Sequence, residues 1–336
     1  MKNYKIFSYA IGIIIVLLTA CKKETVNSNN YIVLAYVTSW SNVMPDPSCL
    51  THINYAFGHI TETFCEIRVD NEERLKAITD LKQIHPNLKI FLSIGGWGSG
   101  HFSEMAADDN LRRLFAIDCK RVVDQFNLDG IDIDWEYPTD NAAGISASET
   151  DTDNFTLLMK DIRQSIGSEK LLTLASSANA KYINFKEIDP YIDFINIMSY
   201  DMGSPPYHHS GLYKSENTKF SVDEAVKAHI EKGMPINKLV MGIPFYGRAS
   251  EKIKNADYGS LVKLNDFEER WDDISFVPYL VDANGEFICG FDNPKSIDIK
   301  CQYIKDHGML GAMYWEYNGD DDNGTLRKVL YKGLNN

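Results

Sequence analysis

From about residue 31 onward, short apolar runs alternate with amphipathic stretches. Eight runs stand out, at 32–39, 52–58, 89–96, 130–136, 171–178, 193–200, 239–247 and 311–317. They are rich in Ile, Val, Phe and Tyr, and several are nearly continuous in apolar residues, as strands buried on both faces should be. The stretches between them read as helices. Residues 72–85 run up to Pro86, which terminates a helix. Residues 103–126 read as one long helix with Leu111, Leu114, Phe115, Ile117 and Val122 on one side. Residues 152–166 place Phe155, Leu158, Met159 and Ile162 at spacings of three and four. Residues 221–232 and 296–307 open on Ser221 and Ser296, both read as helix caps. Strand–helix alternation repeated eight times predicts a parallel sheet closed into a (β/α)8 TIM barrel. Such a barrel takes about 250 residues, so the 336 present fit one barrel with loop insertions.

The spacing is uneven in two places. Residues 137–151 form a polar loop after the fourth strand, and residues 248–295 form a small insertion after the seventh, holding Tyr258, Trp271, Phe276 and Tyr279. Loops that follow the strands line the active face of a barrel. An aromatic insertion there would wall a binding groove; a small packed subdomain is the alternative.

The first thirty residues break the pattern. Lys2 and Lys5 precede a short apolar run, 10–18, and Leu17-Leu18-Thr19-Ala20 leads into Cys21. This reads as an export signal over 1–20, too short to span a bilayer. Leu-Thr-Ala-Cys resembles the lipobox of bacterial lipoproteins, which implies lipidation of Cys21. Residues 21–30 then read as a polar tether ahead of the barrel, 31–336. The expected location is the cell envelope, at an outer membrane or cell surface, with a lipid anchor as the only membrane contact.

Composition narrows the chemistry only a little. With 44% hydrophobic and 24% charged positions the chain is an ordinary globular one, expected to be a monomer. Its net charge is −13, and loss of Lys2 and Lys5 with the signal would make it −15, which argues against nucleic acid as a partner. After Cys21 five cysteines remain, an odd number without zinc-site spacing. No phosphate loop or nucleotide fingerprint appears, and neither metal nor cofactor is expected.

The chemistry concentrates in Asp129-Gly130-Ile131-Asp132-Ile133-Asp134-Trp135-Glu136-Tyr137-Pro138. Side chains alternate along a strand, so Asp132, Asp134 and Glu136 share one face at steps of roughly 7 Å. Ile131, Ile133 and Trp135 share the other. A one-residue slip would bury all three acids among the helices, so the apolar set holds the register. Three carboxylates in line inside a barrel cannot all ionise cheaply, and at least one is expected to stay protonated near neutral pH, as a general acid must. A divalent metal site and a structural row of hydrogen-bonded acids remain alternatives at this point.

The stretch 129–138 resembles the signature of glycoside hydrolase family 18, the chitinase family, whose last acid is the proton donor. Ser93-Ile94-Gly95-Gly96-Trp97, Met198-Ser199-Tyr200-Asp201, Pro244-Phe245-Tyr246-Gly247-Arg248 and Gly311-Ala312-Met313-Tyr314-Trp315 resemble its other strand-end motifs. Tyr36 and Tyr55-Ala56-Phe57 fit its first two strands. The resemblance implies retaining hydrolysis of β-1,4-linked N-acetylglucosamine, in chitin or other polysaccharides and oligosaccharides that contain it, with the substrate's own acetamido group as nucleophile. It assigns Glu136 as acid and base, Asp134 and Asp132 as its proton-sharing partners, and Tyr200 as donor to the acetamido oxygen. Trp315 would floor the −1 site, and Trp97, Gly96, Tyr137, Met198, Asp201, Tyr246, Arg248, Tyr36 and Phe57 would bind substrate. The modest insertion suits an open, endo-acting cleft. Two competing readings are an endo-β-N-acetylglucosaminidase acting on N-glycan cores and a non-catalytic sugar-binding barrel.

Two further features are expected to be structural. Residues 320–324 read as a solvated turn, with calcium as the less favoured alternative. His208 and His209 read as a surface pair.

Overall fold

The computed structural model describes residues 31–335, so the export signal, Cys21 and the tether lie outside the described residues. Eight parallel strands close on themselves: β1 (Ile32–Thr38), β2 (His52–Ile60), β3 (Lys89–Gly95), β4 (Gly130–Asp134), β5 (Leu171–Ser177), β6 (Phe194–Met198), β7 (Leu239–Pro244) and β8 (Gly311–Trp315). Each pairs with its sequence neighbour, and β8 returns to β1 with Ile32 opposite Gly311. This is the (β/α)8 barrel that the eightfold alternation predicts.

Strand alternation sorts the side chains into two layers. Val33, Ala35, Ile131, Ile133, Leu172 and Ile195 point outward into the apolar layer under the helices. Leu34, Tyr36, Phe57, Phe91, Phe194, Val240 and Met313 fill the interior. Both faces of each strand are therefore dry, which is why the runs are continuous rather than alternating in hydrophobicity.

The helices differ from expectation in detail. Residues 103–126 form two helices, Phe102–Ala107 and Asp109–Gln125. The break falls at Asp108, whose carboxylate accepts the amides of Asn110 and Leu111 and so starts the second helix. That helix buries Phe115, Cys119, Val122 and Val123, whereas Leu114 and Ile117 are exposed. Ser221 caps Val222–Glu231 in a capping box with Glu224, as its position suggests. Ser296 is not the cap of the last long helix before β8. That helix is Pro294–His307, Asn293 caps it, and Ser296 is the reciprocal partner three residues on.

The insertion is a small packed subdomain, not an aromatic groove wall. Arg248–Ala249, Glu268–Asp272, Val277–Val281 and Phe287–Gly290 form an antiparallel sheet. Its aromatics are used in packing: Tyr279 stacks on Phe287, Phe276 packs on Tyr213, and Tyr258 is buried in the main core. Trp271 carries Lys295 over its ring. The 320–324 segment also differs from a solvated turn. The Asp320 carboxylate is buried and accepts the amides of Leu326 and Arg327, capping the final helix Thr325–Asn335.

One buried ion pair ties the insertion's exit to the barrel. Lys300 Nζ lies 2.7 Å from both carboxylate oxygens of Asp292, and neither side chain is exposed. Ser210 and Ser296 donate to the same carboxylate. Removing one partner of such a pair leaves an uncompensated buried charge. Lys300→Met should therefore lower unfolding free energy by about 3 kcal/mol in a urea titration, and adding Asp292→Asn should recover part of the loss.

Candidate active site

The signature acids occupy β4 and the two residues beyond it. Trp135 anchors the outer side of this segment, stacking on Phe102 at 5.2 Å and meeting Phe155 edge-on at 5.6 Å. With Trp135 held between the helices, Asp134 and Glu136 face the interior. Asp132, also inward, is fully buried yet saturated. Tyr36 Oη, Ser93 Oγ, Thr173 Oγ1 and Asn196 Nδ2 donate to its two oxygens at 2.9, 2.8, 2.6 and 3.1 Å. Four donors occupy the four acceptor positions of the carboxylate, which leaves no free lone pairs for a cation. Among the described residues no group of three or more His, Cys, Asp or Glu is placed to hold a metal.

Above Asp132 the strand ends open into a cavity of about 730 Å³. Asp134, Glu136, Tyr137, Met198, Tyr200 and Asp201 line it, as do Tyr36, Phe57, Trp97, Tyr246, Arg248 and Trp315. Asp132 and Gly96 do not: Asp132 sits beneath, and Gly96 acts through packing. At φ +93° it leaves room for the Phe57 ring, which a Cβ would meet at 2.8 Å. Gly242 does the same for Tyr200, whose Cε1 would lie 2.9 Å from an added Cβ. Trp315 forms a flat floor, stacked on Phe57 at 5.7 Å and tilted against Tyr36 at 5.6 Å.

Two lining residues escaped the sequence reading, Trp40 and Ala175. Trp40 is 63% exposed, directly after β1 on the loop face; an aromatic at that place was the available signal. Ala175 contributes only space and carries no signal. Trp97 is equally exposed at 64% and meets Tyr137 edge-on. A second lobe of about 370 Å³ shares Trp40, Asp201, Tyr246, Arg248 and Trp315 with the main cavity and adds Asp257 and Glu316. The site is thus an elongated aromatic cleft, and Arg248, Ala256 and Asp257 are what the insertion brings to it.

Burial sets the protonation of the acids. It raises Glu136 to about 7, against a hydrogen bond with Tyr137 and with help from the Asp201 charge. Burial, then the charges of Glu136 and Asp132, lifts Asp134 well above the usual carboxylate range. Burial also raises Asp132, but its four donors oppose the shift. Asp201 goes the other way. Burial would raise it, yet hydrogen bonds and charge from His209 and Arg248 hold it well below the ordinary value. The cleft therefore places a protonated carboxyl beside an ionised one at neutral pH, the arrangement acid–base chemistry needs. His208 and His209 are buried, not a surface pair: His208 Nε2 meets Asp272 at 3.1 Å and His209 Nδ1 meets Asp201 at 3.4 Å.

The same shift acts on stability. Glu136 binds its proton more tightly folded than unfolded, so its contribution is fully present below its ordinary value of 4.5. That contribution is lost as pH rises toward about 7. Thermal melts at pH 4 to 9 should show Glu136→Gln gaining on the wild type across this window and holding the gain above it. Parallel curves would mean that Glu136 titrates normally.

The profile of "Glycosyl hydrolases family 18" matches residues 32–320. Chitinase A1 of Niallia circulans is 29% identical, with 91% of this chain and 59% of that protein covered. The Endochitinase of Manduca sexta is 30% identical, with 87% of this chain and 63% of its own length covered. The chain spans less than two thirds of either relative. Among solved structures, a family 18 N-acetylglucosaminidase from Paenibacillus barengoltzii superposes with a TM-score of 0.83 at 34% identity. The match covers 91% of this chain and all of that one. With a closed barrel, the acid row on its fourth strand and a profile match running almost from end to end, the chain belongs to glycoside hydrolase family 18.

Proposed function

We propose that this protein hydrolyses β-1,4-linked N-acetylglucosamine, in chitin and its oligomers, with retention and with the substrate's acetamido group as nucleophile. The observation that carries this reading is the orphaned Asp134 Oδ1, buried beside Glu136 with no hydrogen-bond partner among the described residues. A buried acceptor without a donor is costly, and an acetamido N–H entering the cavity would satisfy it. In this reading Glu136 gives its proton to the glycosidic oxygen. The acetamido oxygen attacks C1 of its own sugar as the C1–O bond breaks, forming an oxazolinium ion. Tyr200 donates to the acetamido oxygen, Asp134 holds the N–H, and the Glu136 carboxylate left by the proton transfer balances the positive charge. Water, deprotonated by Glu136, then opens the ring and restores the starting state. Holding an internal nucleophile over C1 replaces a bimolecular encounter. Trp315 would carry the sugar's apolar face, with Trp40 and Trp97 extending the surface to either side.

Relatives named as chitinases at 29–30% identity support this substrate class. The test is hydrolysis of N-acetylglucosamine oligomers beside a high-mannose glycopeptide, with NMR of the first-formed anomer. Oligomer cleavage yielding β-anomers, lowered at least about 10³-fold by Glu136→Gln, is the expected result. Glycopeptide cleavage alone would move the substrate to N-glycan cores. Release of only the monosaccharide would replace endo action with exo action. Binding without cleavage would leave a sugar-binding barrel.

We also propose that Cys21 carries a lipid anchor holding the enzyme at the cell envelope. Radiolabelled palmitate should enter the wild type and not Cys21→Ser, and the variant should leave the membrane fraction.

A further inference from the structure

The loop after β6 carries a buried histidine that the proposed chemistry does not use. His209 is fully buried, and its Nδ1 lies 3.4 Å from both the Asp201 carboxylate oxygen Oδ1 and the Asp201 amide nitrogen. The backbone reinforces the contact: Met202 N–H donates to the His209 carbonyl at 3.1 Å. Asp201 has φ 57°, in the left-handed region that Asp adopts more readily than most non-glycine residues. That turn aims its carboxylate into the cleft.

Three side chains reach Asp201, and they are not equivalent. Tyr246 Oη donates to Oδ1 at 2.8 Å, and the Arg248 guanidinium pairs with both oxygens. Arg248 is 48% exposed, so its pairing is screened by solvent and costs side-chain entropy. His209 is on the dry side, packed on Tyr246 at 5.4 Å. Its neighbours in sequence are also pinned: His208 to Asp272 of the insertion, and Ser210 to the buried Asp292 carboxylate at 2.7 Å. His209 is thus the contact from the dry side of the loop, beside the shorter bond from Tyr246.

We propose that His209 is a positioning residue for the reaction, fixing the Asp201 carboxylate in the cleft wall opposite Glu136. With its proton on Nδ1 it donates to the carboxylate; with the proton on Nε2 it accepts the Asp201 amide and fixes the turn. Either way the ring acts through Asp201 and touches no substrate. The proposal rests on Glu136 being the proton donor.

The consequence is a shift in pH dependence. The titratable groups facing Asp201 are Glu136, Tyr200, Arg248, Tyr246 and His209; those facing Glu136 are Asp134, Asp201, Tyr137, Tyr200 and Tyr246. The Asp201 charge helps to hold the Glu136 proton, so a displaced Asp201 moves the alkaline limb of activity to lower pH. The His209 contact also helps to keep Asp201 ionised, and so keeps that charge beside Glu136.

The test compares His209→Asn with His209→Leu. The two replacements have the same shape and leave the same space, but only Asn retains hydrogen-bonding groups. Measured are kcat and KM on N-acetylglucosamine pentamer from pH 4 to 9, with the thermal midpoint of each variant. His209→Leu should lose about 10- to 100-fold in kcat with KM little changed, and the alkaline limb of its bell should move to lower pH. His209→Asn should recover most of both. An unchanged bell in a folded Leu variant, or an Asn variant no better than Leu, would overturn the proposal. If the Leu variant does not fold, His209→Phe fills the ring's place and is read by the same criteria. A wild type inactive on every oligomer would sink the functional reading itself, and this shows before any variant is compared.

Discussion

The barrel's catalytic end depends on one buried carboxylate. Asp132 brings a group that water would otherwise solvate into a site with no exposure, which is tolerable only because every acceptor position is filled. Its donors come from β1, β3, β5 and β6, so a single side chain on β4 is bonded to four other strands across the interior. A register shift in any of them would remove a donor and leave a buried charge short of a partner. The interior thus has a polar plane, with apolar packing from Leu34, Phe91, Phe194 and Val240 around it and the open cleft beyond.

The acids above that plane behave differently because their surroundings do. Asp132 has four donors, Asp134 has an oxygen with none, and Glu136 stands at the mouth where burial is incomplete. Moving along one strand face therefore changes a satisfied carboxylate into an orphaned one and then into an acid near neutral pH. Asp201 supplies the opposite sign of shift from across the cleft, because it meets a guanidinium and an imidazole. Two carboxyl groups of opposite protonation facing one cavity is an electrostatic result that no single strand could produce.

The insertion contributes less directly than its aromatic content suggests. Tyr279 and Phe287 are spent on the small sheet itself, while Phe276 packs on Tyr213 and Tyr258 joins the main core. What it gives the cleft is Arg248 and Asp257 at its entrance, and Asp272, which receives His208. The loop after β6 is tied to this subdomain through His208 on Asp272 and Ser210 on Asp292, and it closes on itself through His209, so the cleft wall at Asp201 joins segments remote in sequence.

Much of this was legible along the chain, because strand and helix periods are local and the buried parallel strands of a closed barrel are apolar on both faces. The eight runs, the inward row of Asp132, Asp134 and Glu136, and the Ser221 cap each follow from spacing of a few residues. Where reading failed, the deciding partner lay far away or a competing cap lay close. Leu114 and Ile117 read as core, but the helix turns Phe115, Cys119 and Val122 inward, a choice made by the elements it packs against. His208 and His209 read as surface because Asp272 and Asp201 are invisible to local pattern. Trp40 reached the cleft through loop geometry, and Gly96 left it because its missing side chain serves Phe57. The chain alone determined which residue types face which side of each strand. Only the closed barrel decided which of them meet, because donors 39 to 96 residues from Asp132 converge on it through tertiary packing, and that convergence sets burial, pairing and charge.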